Sequence, residues 1–184
     1  MKNTDIIIFD VESTGLLLPS PTNIERQPYL TEIYCGKYDK DFNLIDELDT
    51  MVKPPVPIPE EITKITGITQ EDVDDAPSFI NLYDRIYDFF EGVNYVVGHN
   101  ITFDMNIMHY ELFRHDYENN FHWPKVRFCT VELSKHYFNK RLKLMQLHEH
   151  LFGIGFEGSH RARADVEATA KCFFEMVKRG DVSI

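Results

Sequence analysis

The order of apolar and polar positions divides the chain into short elements. Ile6-Ile7-Ile8-Phe9 is a continuous apolar run, and it predicts a strand buried on both faces. Thr14-Gly15 predicts its end, and Leu16 to Pro28, with three prolines, reads as a loop. Residues 31–38 and 43–52 have strand composition, with Asp39-Lys40-Asp41 as the turn between them, so the sheet should open on an antiparallel meander. Pro54-Pro55-Val56-Pro57-Ile58-Pro59 excludes helix and central strand and reads as an extended connector. Residues 60–66 predict a short helix stopped by Gly67. Phe79, Leu82, Tyr83, Ile86 and Phe90 form one helical stripe over residues 78–91, with Gly92 just beyond. Tyr95-Val96-Val97-Gly98 predicts a second short buried strand, and Met105, Met108 and Leu112 stand at helical spacing over residues 102–115. Residues 126–128 predict a strand, residues 131–138 and 144–152 short helices. A last helix is expected over residues 163–178, burying Val166, Ala170, Phe173 and Val177. Strands first, then strand and helix in alternation, indicate an α/β fold with a mixed sheet and helices on its faces. No internal repeat or low-complexity segment divides the chain, so residues 1–184 are read as a single domain.

Composition and charge then narrow the function. With 43% apolar and 13% aromatic residues, the chain is too apolar for disorder and too mixed for a fibre. No apolar run approaches the ~18 residues of a membrane span. Lys2, Asp5 and a four-residue apolar run do not make a signal peptide. Cys35, Cys129 and Cys172 are odd in number and far apart, which fits reduced thiols, so the expected location is the cytoplasm, with no membrane partner. The net charge of −11 argues against a protein that coats duplex DNA, since that needs a basic face. It leaves room for an enzyme that grips a nucleic-acid end through metals. The charge is uneven: residues 39–91 hold 14 acidic and 4 basic side chains, residues 125–163 hold 8 basic and 3 acidic. By charge alone that asymmetry marks two solvated surfaces or a binding face; in the fold that the resemblance below implies, the basic stretch would border the site and the acidic stretch lie on the opposite side.

Three short patterns carry candidate chemistry. In Asp10-Val11-Glu12, strand alternation turns both carboxylates to one side and Val11 to the other. Neighbouring carboxylates hold their protons unless a cation relieves the repulsion, and hard divalent cations suit oxygen ligands. A plain pair of strand-end acids has the same spacing. In Gly98-His99-Asn100-Ile101-Thr102-Phe103-Asp104, a buried strand leads into a helix whose first turn holds Asp104, where the helix dipole favours a carboxylate. In Ser159-His160-Arg161-Ala162-Arg163-Ala164-Asp165, His160 and Asp165 would lie about 140° apart if both were helical. His160 is therefore placed in a loop or cap, made mobile by Gly153, Gly155 and Gly158, with Asp165 inside the helix. His148 and His150 form a further His-x-His pair, read as helix-surface histidines because no third zinc ligand stands near them.

Taken together and in this order, the three patterns resemble the DnaQ-like, or DEDDh, family of 3′→5′ exonucleases. Residues 9–16 are similar to its first motif, residues 99–104 to its second, and His160 with Asp165 to its third. Pro59 to Thr69 and Leu144 to Gly153 resemble linking segments of the proofreading, epsilon-type branch. The resemblance implies a ribonuclease H-like mixed five-stranded sheet with helices on both faces. It implies two divalent cations, Mg²⁺ or Mn²⁺, held by Asp10, Glu12, Asp104 and Asp165, with Asp10 between them. His160 would act as general base on the attacking water, a task suited to an imidazole, whose ordinary pKa is near ~6.5.

The same resemblance implies substrate contacts at Thr14, Gly15, Leu16, Asn100 and Phe103. Leu16 would wedge against the terminal base, Phe103 would stack near the penultimate nucleotide, and Asn100 would hold the terminal one. Core packing is the competing reading for Leu16 and Phe103. Thr66 stands where some relatives carry a substrate-contacting His and receives no role. The implied substrate is the 3′ end of single-stranded nucleic acid, DNA favoured over RNA, with a DNA polymerase as a possible partner. Short RNA or tRNA ends, or an inactive nucleic-acid-binding module, remain as alternatives.

Overall fold

Alternate residues of the first strand, β1 (Ile6–Ser13), enter two separate cores. Ile7, Phe9 and Val11 pack on one face of the sheet, Ile6 and Ile8 on the other. A strand buried on both faces needs apolar side chains at every position, which is why the run is continuous rather than alternating. Each such side chain contributes about 1.5–3 kcal/mol on burial.

The computed structural model describes residues 5–19 and 23–184. Lys2 and Pro21, used above for the N-terminus and the first loop, lie outside the described residues. The strands that follow are β2 (Leu30–Tyr38), β3 (Leu44–Met51), β4 (Tyr95–Gly98) and β5 (Val126–Cys129), in the spatial order β3-β2-β1-β4-β5. β1 runs antiparallel to β2, and β2 to β3, while β4 is parallel to both β1 and β5. The sheet is thus mixed and five-stranded, as expected. The helices are α1 (Glu60–Thr66), α2 (Gln70–Asp74), α3 (Phe79–Phe90), α4 (Thr102–Arg114), α5 (Thr130–Leu133), α6 (Lys135–Phe138), α7 (Leu144–Phe152) and α8 (Ala162–Arg179). Residues of α3 and α4 build the core on the Ile7–Phe9 face, and residues of α7 and α8 build the other.

β1 ends at Ser13, directly before the expected stop at Thr14-Gly15; β2 pairs with it that far, whereas β4 pairs only with Ile6 to Ile8. Three local expectations are corrected. The helix α2 was not foreseen, although Thr69 and Asp72 form a reciprocal cap at its start. The helical stretch over residues 131–138 is two short helices. Buried Ser134 interrupts it, its hydroxyl donating to the Val131 carbonyl at 2.7 Å and accepting the Leu142 amide at 3.0 Å. His148 is not a surface histidine. It is buried in the apolar face of α7, its Nδ1 is 2.8 Å from the Ile154 carbonyl, and its ring lies against Phe152 and Phe156. His150 is exposed, as expected.

Candidate active site

β1 outruns β4 by several residues, and that overhang carries the first two acids. Asp10 and Glu12 point to the α8 side, opposite Tyr34 and Glu32 in the β1–β2 register. The overhang also leaves backbone amides on the edge that β4 no longer covers, and such donors need partners. Asp104, buried in the first turn of α4, supplies one: its Oδ1 accepts the Val11 amide at 3.1 Å. Tight turning from β4 into α4 depends on Gly98, where a Cβ would stand 3.0 Å from Ile101. It depends also on Asn100, which takes a left-handed φ of 66°.

From the other side, α8 brings Asp165 to the same place. Oxygens of Asp10, Glu12 and Asp165 all lie within 4.8 Å of one another, an arrangement of ligand atoms compact enough for one metal ion. His160 precedes α8 in an exposed, left-handed conformation at φ 68°, and its amide donates to Asp165 Oδ2 at 3.0 Å. Loop placement for His160 and helix placement for Asp165 agree with expectation.

The four acids carry strongly perturbed electrostatics. Burial, then the charges of Asp104, Asp165, Glu12 and Glu32, hold the Asp10 carboxyl well above its ordinary range. Burial, with Asp165 and Glu32 next, pushes Glu12 up to about 8. Burial pushes Asp104 up to about 8 as well, against the opposing hydrogen bond from Val11. Asp165 is raised by burial, opposed by the His160 amide. The cluster is an all-oxygen donor set whose repulsion the protein leaves largely unrelieved, so the residues fit hard divalent cations.

The remaining expected contacts are distributed unevenly. Leu16 is 80% exposed, which removes core packing as its explanation. Phe103 is half-buried against the α3–α4 core, with its amide bonded to the Asn100 carbonyl at 2.8 Å. The Thr14 side chain is committed to the backbone, accepting the Tyr29 amide at 2.9 Å, and the Gly15 carbonyl accepts the Ser13 hydroxyl at 2.8 Å. Thr66 is turned inward, its hydroxyl bonded to the Ile62 carbonyl and the Ile68 amide. A cleft of about 410 Å³ adjoins the acids, lined by Asp10, Asn100, His160 and Asp165.

The same cleft includes residues that received no role above: His99, Lys143, Met145, Phe156 and Ser159. Burial lowers His99 to about 4, and its Nδ1 sits 2.9 Å from Thr130 Oγ1. Position in the second and third patterns was the available signal for His99 and Ser159, the basic stretch for Lys143 and the 144–153 segment for Met145; Phe156 had none. The charge expectation needs correction too. Lys143 and His160 of the basic stretch do border the cleft, but Arg161 is bound to Glu32, and Lys135 and Arg141 to Glu132. Arg163 pairs with Glu47 and Asp49 on β3, so the acidic stretch meets the basic one instead of lying opposite it. Such pairs form because α8 crosses β2 and the neighbouring β3 presents its acids there.

A mixed five-stranded sheet with acids gathered on the overhang of its central strand is the ribonuclease H-like arrangement. The RNase T model, described as an exonuclease family, matches residues 7–173, and the chain belongs to that family. A PolC-type DNA polymerase III from Caldanaerobacter subterraneus subsp. tengcongensis is 32% identical over 177 residues, or 95% of this chain. The chain spans 12% of that relative's length. Among solved structures, the nuclease domain of 3′hExo, a DEDDh family member bound to rAMP, superposes with a TM-score of 0.76 at 18% identity, covering 97% of this chain and 94% of that one. The zinc-bound complex of Escherichia coli exonuclease I with single-stranded DNA superposes with a TM-score of 0.74 at 21% identity, covering 96% and 41%. No helix among the described residues is long and apolar enough to cross a membrane.

Proposed function

We propose that this chain is a divalent-metal-dependent 3′→5′ exonuclease that removes nucleoside 5′-monophosphates from single-stranded DNA ends, as in the proofreading of a DNA polymerase. The observation that carries the reading is the meeting of Asp10, Glu12 and Asp165 within 4.8 Å, beside buried Asp104 and exposed His160. Likeness to PolC-type polymerases supports DNA and a polymerase partner over RNA. Residues 1–184 form one catalytic domain in this reading, and the free thiols of Cys35, Cys129 and Cys172 suit the cytoplasm.

Asp10, Glu12, Asp104 and Asp165 hold Mg²⁺ or Mn²⁺. Two such cations, when bound, supply positive charge against the attacking and leaving oxygens of the phosphodiester. The His160 imidazole nitrogen takes the proton of the attacking water; the water oxygen bonds to phosphorus, and the P–O3′ bond breaks. The leaving O3′ takes a proton from solvent water, so the shortened strand ends in a new 3′-hydroxyl. Leu16 wedges at the terminal base, and Phe103 stacks behind it. Thr14, Gly15 and Asn100 border the terminal nucleotide. With few free cations beside the cleft, binding should be weak and support short runs only.

Matched DNA and RNA oligonucleotides, labelled at either end and incubated with Mg²⁺ or Mn²⁺, test the proposal. Mononucleotides released from DNA 3′ ends are expected. RNA cut at least as fast would replace proofreading with RNA-end trimming, and protein inert on every 3′ end would leave a binding module.

A further inference from the structure

Glu32 is a buried carboxylate in a place already crowded with negative charge. It lies in β2 directly opposite Glu12, and its side chain is 4% exposed. A fifth acid there makes ionisation of its neighbours costlier, so burial of the charge calls for a compensating role. Its partners are specific. Arg161 Nη2 donates to Oε1 at 2.8 Å, Arg161 Nε reaches both oxygens at 3.3 Å, and the Ala162 amide donates to Oε2 at 3.1 Å. One carboxylate thus holds a guanidinium fork and a backbone amide at the two residues that follow His160.

His160 needs such an anchor. Its ring is exposed, its φ is 68°, and Gly158 two residues earlier has a φ of 78°. On its own side of the chain, the amide bond to Asp165 is the hold that the structure gives it. Pinning Arg161 and Ala162 to β2 removes the backbone freedom that would otherwise let the imidazole drift. Misplacement by about 1 Å is enough to cost on the order of 10²-fold in rate.

We propose that Glu32, acting through Arg161 and the Ala162 amide, is a positioning residue for His160. The proposal rests on the nuclease reading above. Glu32→Gln turns one acceptor oxygen into an NH₂ that faces the Arg161 and Ala162 donors. Glu32→Asp keeps the charge but shortens the reach, and serves where Glu32→Gln fails to fold.

The test combines turnover, Mn²⁺ calorimetry and amide hydrogen exchange. Either variant is expected to lower kcat about 10- to 100-fold, with KM and Mn²⁺ affinity changed by less than roughly threefold. Placed in a His160→Ala background, it should cost nothing more, because the group it positions is gone. Amides of residues 160–162 should exchange faster, while those of Ile7 and Ile8 do not. An equal loss of turnover with and without His160 overturns the proposal, as does unchanged exchange at residues 160–162. Wild-type protein inert on every 3′ end would defeat the nuclease reading instead, and the exchange result would still decide whether Glu32 anchors the segment.

Discussion

The Val11 amide donates to Asp104 Oδ1 at 3.1 Å, joining residues 93 positions apart. That bond ties the strand bearing Asp10 and Glu12 to the first turn of α4, so one carboxylate is both a structural acceptor and a member of the acid cluster. Asp104→Asn keeps the acceptor oxygen and removes one charge. In metal-free protein at pH 8 it should raise Tm, by roughly 2–4 °C for each kcal/mol of repulsion relieved, while abolishing turnover. A fall in Tm would show that the charge itself stabilises the fold.

The same cluster predicts how stability varies with pH. Glu12 and Asp104 are raised to about 8 in the folded protein, whereas the unfolded chain releases those protons near ~4. Between these values the native state binds more protons than the unfolded state, so this contribution falls as pH rises. Metal-free protein should therefore lose part of its stability from pH 5 to pH 8. Mg²⁺ or Mn²⁺ should restore more Tm at pH 8 than at pH 5. Urea unfolding across this range, with and without EDTA, measures both slopes; equal restoration at the two pH values would contradict the assignment.

His99 works in the opposite direction. Its folded value of about 4 lies below the ordinary ~6.5 of an imidazole, so the unfolded chain takes up the proton first as pH falls. The His99 contribution to stability should be lost from pH 6.5 towards pH 4, at no more than about 1.4 kcal/mol per pH unit, against the opposite slope of the acid cluster. His99→Gln should remove that component, leaving a difference between the two unfolding curves that shrinks to a constant above pH 7.

Metal holding and proton transfer should separate by mutation. His160→Ala is expected to lower kcat by about 10²–10⁴ and to leave Mn²⁺ binding intact in calorimetry. Asp10→Ala should lose both. Comparable loss of metal in the two variants would remove His160 from the general-base role.

Leu16 and Arg114 distinguish contact with substrate from support of the fold. Leu16 is 80% exposed, so Leu16→Ala should change stability by no more than about 0.5 kcal/mol while raising KM for oligonucleotides. Arg114 is buried beside Glu111, and its Nη2 donates to the carbonyls of Ile24, Gln27 and Pro28. Arg114→Ala leaves the Glu111 carboxylate buried and unpaired, a loss of about 3–5 kcal/mol in urea unfolding. Arg114→Lys has one nitrogen where Arg114 holds Glu111 with Nη1 and the three carbonyls with Nη2, and should recover little of it.

Much of this molecule was legible along the chain, and for local reasons. The run Ile6 to Phe9 is apolar at every position because both faces of β1 are covered, and Asp10 and Glu12 share a side because strand side chains alternate. Gly67 ends α1 with a left-handed cap, as its position predicts. The three acid-bearing patterns were each short enough to be read from neighbours in sequence, and their order pointed to the exonuclease family that the chain proved to join.

Other features depend on pairings between distant segments, which no local period encodes. The overhang of β1 exists because β2 is longer than β4, and only that difference exposes the Val11 amide for Asp104 to take. His148 shares the helical stripe of Leu144, Leu147 and Leu151, so its burial was readable from spacing, but the Ile154 carbonyl and Phe156 ring that it meets were not. Glu32 and Arg161 stand 129 positions apart, and each alone reads as a surface charge. Periodicity along the chain therefore sufficed for the elements and the acids they carry. The partners of those acids came from strand register and helix docking, because desolvated charges and amides are satisfied by whatever the fold brings beside them.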